Sequence, residues 1–176
     1  MYREDDPHDP LDVYGKTKSL GEVFDGSILN IRCSIIGPEK KGKVSLLEWF
    51  LNQPPGSELK GFTHHRWNGV TTLQFAELCC AIIENPGSYE QLLATSRVHH
   101  FVPNATVTKY ELLCLMAKIF GRNHPVARVD DVGPPVDRTL ASMHTHLDGL
   151  YPPTSGMAEV LRELQRYIDG ERADAS

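Results

Sequence analysis

Asp12-Val-Tyr14-Gly-Lys-Thr-Lys18-Ser-Leu-Gly-Glu22, followed closely by Ile28-Leu-Asn-Ile-Arg-Cys-Ser-Ile-Ile36, is the stretch that decides the fold. Over residues 13–24 the apolar positions fall at helical spacing. Leu20, Val23 and Phe24 make one stripe, and Gly26 stands just past the end. Residues 28–36 are a nearly unbroken β-rich apolar run closed by Gly37-Pro38. A run without polar alternation reads as a strand buried on both faces, the kind found in a parallel sheet covered by helices. A helix feeding such a strand predicts an α/β protein.

The rest of the chain alternates in the same way. Upstream, residues 1–13 read as a loop, with Pro7 and Pro10 excluding regular structure. Downstream, 38–43 is a charged Gly/Pro loop and 44–51 a short helix, stopped by Pro54-Pro55-Gly56. A strand is expected over 58–62, then a polar, aromatic loop, His64-His-Arg-Trp-Asn-Gly69. Thr71 and Gln74 have capping-box spacing at the head of a helix running to Asn85, where Pro86-Gly87 signals a stop. Thr108 and Glu111 repeat the box before a helix over 109–120, closed by Gly121. Short strands are expected at 91–94, 98–102 and 126–129, a long loop over 130–156, an amphipathic helix over 158–168 and a disordered tail over 171–176.

Composition narrows the function classes. The chain has 176 residues, 40% hydrophobic and 23% charged, enough for one domain with a real core and marginal for two. A formal net charge of −5 gives no overall pull toward nucleic acid or an anionic membrane. No apolar run is long enough to span a bilayer, and the acidic, Pro-rich start is the opposite of a secretory signal, so a cytoplasmic protein is expected. Cys33, Cys79, Cys80 and Cys114 lie in apolar stretches without ligand spacing and read as reduced core thiols. Six of the eight histidines come as His64-His65, His99-His100 and His144/His146; adjacent ones on a strand point to opposite faces, and no cluster has ligand spacing, so no metal site is expected.

Tyr14 and Lys18 carry the chemistry. Four apart on a helix, they project from one face one turn apart. A phenol with pKa about 10 is a poor acid or base at neutral pH, and an ammonium one turn away favours the phenolate. The pair can then give a proton to a carbonyl oxygen or take one from a hydroxyl. Gly37-Pro-Glu-Lys-Lys-Gly42-Lys43 has P-loop spacing, but Val44 stands where a Mg²⁺-binding hydroxyl is needed, so it reads as a surface loop. Asn104-Ala-Thr106 is a glycosylation sequon that reads as a turn.

The segment E-D-D-P-x-x-P-x-x-x-Y-G-K-T-K-x-x-G-E, with the following I-R-C-S-I-I-G-P, resembles the extended short-chain dehydrogenase/reductase family. Within it the likeness is to the branch of dTDP-4-dehydrorhamnose reductase and related nucleotide-sugar reductases. Residues 66–76, 108–113 and Pro135-Val-Asp-Arg-Thr-Leu140 also look like that branch, and the resemblance covers roughly residues 2–142. It implies a Rossmann-type NAD(P)-binding fold with a small α+β substrate-binding region, and an oxidoreductase of dTDP-rhamnose and polysaccharide biosynthesis. Tyr14 would protonate the sugar C4 ketone as NADPH or NADH delivers hydride. Lys18 would lower the Tyr14 pKa and hold the nicotinamide ribose. Ser34 and Ile35, at the carboxyl end of the strand, would line the nicotinamide and sugar pocket, where α/β sheets bind ligands. His65, Trp67 and Asn68, in a loop before a helix N-terminus, would contact the nucleotide-sugar.

The departures are equally specific. The family's G-x-x-G-x-x-G pyrophosphate cradle occurs nowhere in the chain, and the residues before Tyr14 include neither Ser nor Thr to match its catalytic hydroxyl. The resemblance therefore implies a C-terminal portion. On that reading 1–37 is a remnant of the nucleotide-binding domain, 38–170 the substrate-binding region, and the cofactor belongs to a full-length form. A non-catalytic sugar-nucleotide-binding module, or an epimerase or dehydratase using the same pair on another carbon, are the alternatives. An exposed sheet edge along 28–36 is expected, with self-association through it.

Overall fold

A computed structural model describes residues 1–130 and 133–174. In chain order the elements are α1 (Val13–Leu20), β1 (Asn30–Arg32), β2 (Ile35–Ile36), α2 (Leu46–Leu51), β3 (Leu59–Phe62), β4 (His65–Trp67), β5 (Val70–Thr71), α3 (Thr72–Glu84), α4 (Pro86–Thr95), β6 (Val98–His100), β7 (Val107–Thr108), α5 (Lys109–Ile119), β8 (Val126–Val129), β9 (Val136–Arg138), α6 (His146–Leu150) and α7 (Met157–Asp174). Parallel pairing dominates, as expected: β1 with β6, β2 with β5, β3 with β8 and β4 with β9. Among the described residues only β4 with β7 runs antiparallel. The architecture is mixed α/β.

Two cores hold it together. Leu47 and Phe50 of α2, Leu59 of β3, Leu112, Leu113 and Met116 of α5, and Val160, Leu161 and Leu164 of α7 form the larger. Val70, Leu78, Leu92, Phe101 and Leu147 form the smaller, beneath β1 and β6. Apolar area removed from water at ~25 cal/mol per Å² is the main favourable term in such packing. Both capping boxes form, with Thr71 accepting from the Gln74 N–H and Thr108 from the Glu111 N–H.

Several elements differ from expectation. The 28–36 run is two short strands, because the chain changes neighbour from β6 to β5 at Cys33-Ser34. It is not buried on both faces: Ile28 and Ile35 are 39% and 43% exposed, Leu29, Ile31 and Cys33 pack half-buried against the smaller core, and of these apolar residues Ile36 alone is fully buried. The first helix ends at Leu20, where the Gly21 N–H bonds back to the Thr17 and Lys18 carbonyls. Its stripe is not a core face, since Leu20 and Phe24 are exposed and α1 buries no residue. Residues 91–94 are helical: Pro86 sits in the first turn of α4, where its missing N–H is harmless, so the stop signal is a restart.

The expected loop at 64–69 contains β4, and the one at 130–156 contains β9 and α6. Residues 131 and 132 of that loop lie outside the described residues. α7 runs through Gly170 into the expected tail as far as Asp174, and 175–176 lie outside the described residues. All four cysteines are free. Cys80 is exposed rather than in the core. Burial pushes the Cys33 thiol up to about 12. No described helix is long and apolar enough to cross a membrane.

Candidate active site

α1 begins at Asp12, whose carboxylate accepts the Gly15 N–H at 2.6 Å. This N-cap sets the first turn, so Tyr14 and Lys18 project together. The Lys18 ammonium lies 5.5 Å from the Tyr14 ring centroid. What ties the helix to β1 is polar rather than apolar. Glu22, just beyond α1, takes two bonds from the Arg32 guanidinium at 2.6 and 2.8 Å, and His8 bridges Ser19 (2.5 Å) and Arg32 (2.6 Å). Ser19, His8 and Glu22 have the residue types of a nucleophile, base and acid. Arginine can only donate, however, so His8 Nε2 accepts from it. The ring proton sits on Nδ1, facing Ser19, and the imidazole cannot deprotonate that hydroxyl.

Tyr14, Lys18, Ser34 and Ile35 all line one cleft of about 1010 Å³, between α1 and the strand run 29–35. Its other walls include Tyr2, Phe75 and the β9 residues Asp137 and Arg138. The structure thus brings together the helical pair and the two strand residues named from sequence. A smaller cavity of about 320 Å³ lies behind it, between residues 2–10 and α1. Charges within the large cleft are unevenly matched. Arg32 is neutralised by Glu22. Asp137 bonds to the Thr139 hydroxyl, which, with the chain's amino terminus at 3.4 Å, holds its carboxyl below the usual range. Lys18 and Arg138 have no carboxylate partner among the described residues.

His65, Trp67 and Asn68 are placed differently. None of them lines the cleft. The Trp67 indole N–H donates to Ser34 Oγ at 2.7 Å, so the tryptophan holds a cleft residue from behind. Asn68 is 7% exposed, and its amide is spent on Leu140, donating to the carbonyl (2.8 Å) and accepting from the N–H (3.0 Å). His65 stacks on Phe62 with ring centroids 4.6 Å apart, and burial lowers its pKa. Gly69 is required by close approach: a Cβ there would strike the Ser34 carbonyl and the Trp67 ring. The N-terminus of α3 is no open phosphate site either, because Thr71 and Gln74 are buried and Thr72 packs against Gly37.

Tyr2, Arg32, Phe75 and Asp137 were not singled out by sequence reasoning, nor was Arg138. They reach the cleft through long-range pairing, such as the Tyr2–Leu140 bridge and the β4–β9 register. A local motif does not encode either. The Pro135–Leu140 stretch that carried part of the resemblance was the available signal for the β9 residues.

No protein-family model matches the sequence, and no curated protein matches it. Solved structures do match. A dTDP-4-dehydrorhamnose reductase from Clostridium acetobutylicum superposes with a TM-score of 0.67 at 16% identity, covering 95% of this chain and 59% of that one. The corresponding reductase from Bacillus anthracis, solved with NADP, gives 0.66 at 14%, covering 94% and 59%. A UDP-galactose 4-epimerase gives 0.65 at 20%, covering 97% and 57%. The chain thus spans somewhat over half the length of the proteins it matches. Over that span it has the mixed α/β fold of Rossmann-type reductases, epimerases and dehydratases that act on nucleotide-sugars.

Proposed function

We propose that the cleft serves NAD(P)H-dependent reduction of a 4-keto nucleotide-sugar, of the dTDP-4-dehydrorhamnose type. The observation that carries this is the meeting of Tyr14 and Lys18 with Ser34 and Ile35 in one cleft at the carboxyl end of a parallel strand. The structural likeness to reductases of that class supports it. Tyr14 donates its phenolic proton to the C4 oxygen. Lys18, with its charge against the Tyr14 ring, stabilises the oxygen left behind and positions the ribose. Ser34, fixed by Trp67, and Ile35 pack the reacting ring, with His65, Trp67 and Asn68 as the frame behind them. When bound, the nicotinamide nucleotide supplies hydride to C4, so the ketone becomes a secondary alcohol.

At about 1010 Å³, with Tyr14, Lys18 and Ser34 on its walls, the cleft has the room and the polar groups for the nicotinamide end of that cofactor. The pyrophosphate end has no glycine-rich cradle within the 176 residues. We therefore assign 1–37 to a nucleotide-binding domain and 38–170 to the substrate-binding region, with the cradle supplied by a segment outside this sequence. Free thiols and nucleotide substrates suit the cytoplasm.

Hydride transfer tests the proposal. The 176 residues alone should not oxidise NADPH or NADH with dTDP-4-dehydrorhamnose, whereas a form extended by a G-x-x-G-x-x-G segment should consume one reduced cofactor per sugar. Tyr14→Phe should lower that rate at least 100-fold, on the order of the contribution of a positioned acid. Turnover without net cofactor consumption would instead favour the epimerase or dehydratase reading, which the likeness to UDP-galactose 4-epimerase supports.

A further inference from the structure

Every residue of β6 is buried, and two of the three are histidines. His99 is 0% exposed and His100 2%. Successive residues of a strand face opposite ways, so the two rings enter different surroundings. His99 Nε2 lies 3.1 Å from the Leu92 carbonyl and 3.0 Å from that of Ser96, and His100 Nδ1 lies 2.9 Å from the Ala141 carbonyl. A carbonyl oxygen can only accept, so each of these nitrogens carries the ring proton. The other nitrogen of each ring, Nδ1 of His99 and Nε2 of His100, is buried and has no hydrogen-bond partner among the described residues. Both imidazoles are therefore neutral. A second proton on either ring would bury an N–H with nothing to accept it.

His100 is also where two remote segments meet. Its backbone N–H donates to Glu4 at 2.9 Å, and its ring donates to Ala141. Residues 1–4 and 139–143 are tied to each other by the Tyr2–Leu140 bridge and by Glu4, which accepts from the Ser142 hydroxyl and the Met143 N–H. Tyr2 and Leu140 line both the large cleft and the smaller cavity behind it. His100 is the Cα partner of Arg32 on the β1–β6 ladder, and both residues line the smaller cavity. The charged and titratable groups around that cavity come from three directions. Arg3, Glu4, Asp6, His8 and Asp9 belong to the amino-terminal segment, Lys18 and Glu22 to α1 and just beyond it, and Arg32 to β1. Residues 139–143 carry no charged group, and His144 lies against His99 on the other side of the strand. Burial, aided by the Arg32 charge, lowers the His100 pKa. It outweighs the bond to Ala141 and the charges of Glu4 and Glu22, which favour the protonated ring.

We infer that His100 is an acid-sensitive latch: while neutral it pins residues 1–4 and 139–143 to β6, and its protonation releases both segments and opens the Tyr2–Leu140 wall of the cleft. The latch is independent of what the cleft binds. Its sign follows from the buried lone pair. A histidine whose pKa is lower when closed than when released holds the closed form fully above the released value, about 6.5, and loses that hold as pH falls. A ring that is neutral when closed and titrates normally when released raises the opening constant about tenfold between pH 7.5 and 5.5. Glu4 does not titrate in this window, since its pKa is about 2 in the fold and 4.5 when free. The larger core, built on α2, α5 and α7, contains neither His99 nor His100, so it has no part in the opening.

Amide hydrogen exchange of the 176-residue chain, read as protection factors at the two pH values, is the test. Peptides over 139–143, which contain the Ala141 and Met143 amides, should lose about tenfold in protection at the lower pH, while α5 and α7 keep theirs. His100→Asn keeps an amide nitrogen near the Nδ1 position for the Ala141 carbonyl but does not titrate, so it should abolish the loss. His99→Gln, on the other side of β6, should leave the loss as in wild type. Unchanged wild-type protection would overturn the latch. So would an equal loss in α5 and α7, which is general acid unfolding, or a loss that persists in His100→Asn. The ring nitrogen shifts of wild-type His100, read by proton–nitrogen correlation at the higher pH, test it without any variant. A proton on Nδ1 alone supports the latch, and a proton on Nε2 overturns it.

Discussion

Glu4 is the clearest case of a single residue acting beyond its local sequence. It is 8% exposed, and its carboxylate accepts from the His100 N–H at 2.9 Å, the Ser142 hydroxyl at 2.6 Å and the Met143 N–H at 2.9 Å. Burial alone would raise its pKa, but these three donors outweigh it and bring the value down to about 2. A carboxyl whose folded pKa lies below its unfolded one stabilises the fold above the unfolded value, near 4.5, and loses that contribution as pH falls toward 2. The melting temperature should therefore drop between pH 4.5 and about 2. Glu4→Gln should flatten that drop and lower stability at pH 7 by about 1–3 kcal/mol, since an amide NH₂ would face an N–H donor. A wild-type melting curve unchanged down to pH 2 would refute this. Nothing in Met1–Asp6 signals such a role, because all three donors lie about a hundred residues or more away. Tyr14 and Lys18, by contrast, are legible because their relation is one helical turn.

At the scale of elements, local chemistry was readable and partnership was not. Both capping boxes form because a hydroxyl and a side chain three residues on need only each other. Pro86 was ambiguous, since the same residue ends one helix and opens the next. The apolar run 28–36 is legible as parallel strand, but burial depends on neighbours that composition does not specify. The same holds within the site: Asn68-Gly69 reads as a turn, whereas the structure gives each residue a tertiary duty. Asn104, the sequon residue, donates to the Gly69 carbonyl at 2.8 Å and to Gln74 at 2.9 Å, fixing the turn against α3. Gly69→Ala should therefore separate Trp67 from Ser34 and destabilise the protein by about 1–3 kcal/mol, the usual cost of overpacking. Trp fluorescence and chemical denaturation would register both effects, and an unaltered midpoint would contradict the close approach.

For the whole molecule, the telling feature is the surface around α1. Leu11, Val13, Tyr14, Leu20 and Phe24 are all more than 60% exposed, and beside them β1 pairs, among the described residues, with β6 alone. The ladder fixes which peptide groups are free. The Asn30 N–H reaches the Arg97 carbonyl, and the Arg32 carbonyl accepts from Phe101, so those residues face β6. In a parallel pair alternate residues face alternate sides, so the peptide group of Ile31 points into the cleft. An apolar face beside an unpaired edge invites another strand, from a nucleotide-binding segment or from a second copy. We expect the 176-residue chain to self-associate through this edge. Light scattering should show a mass that rises with concentration. Ile31→Pro should reduce it, since proline there removes an N–H that β6 does not use. The far-ultraviolet circular dichroism of the variant should stay native, because the β1–β6 ladder is left intact. A wild-type chain that stays monomeric across the concentration range would count against an available edge. Association unchanged by Ile31→Pro would shift the contact to the exposed apolar side chains on α1 and just beyond it, where Leu20→Lys and Phe24→Lys should then abolish it.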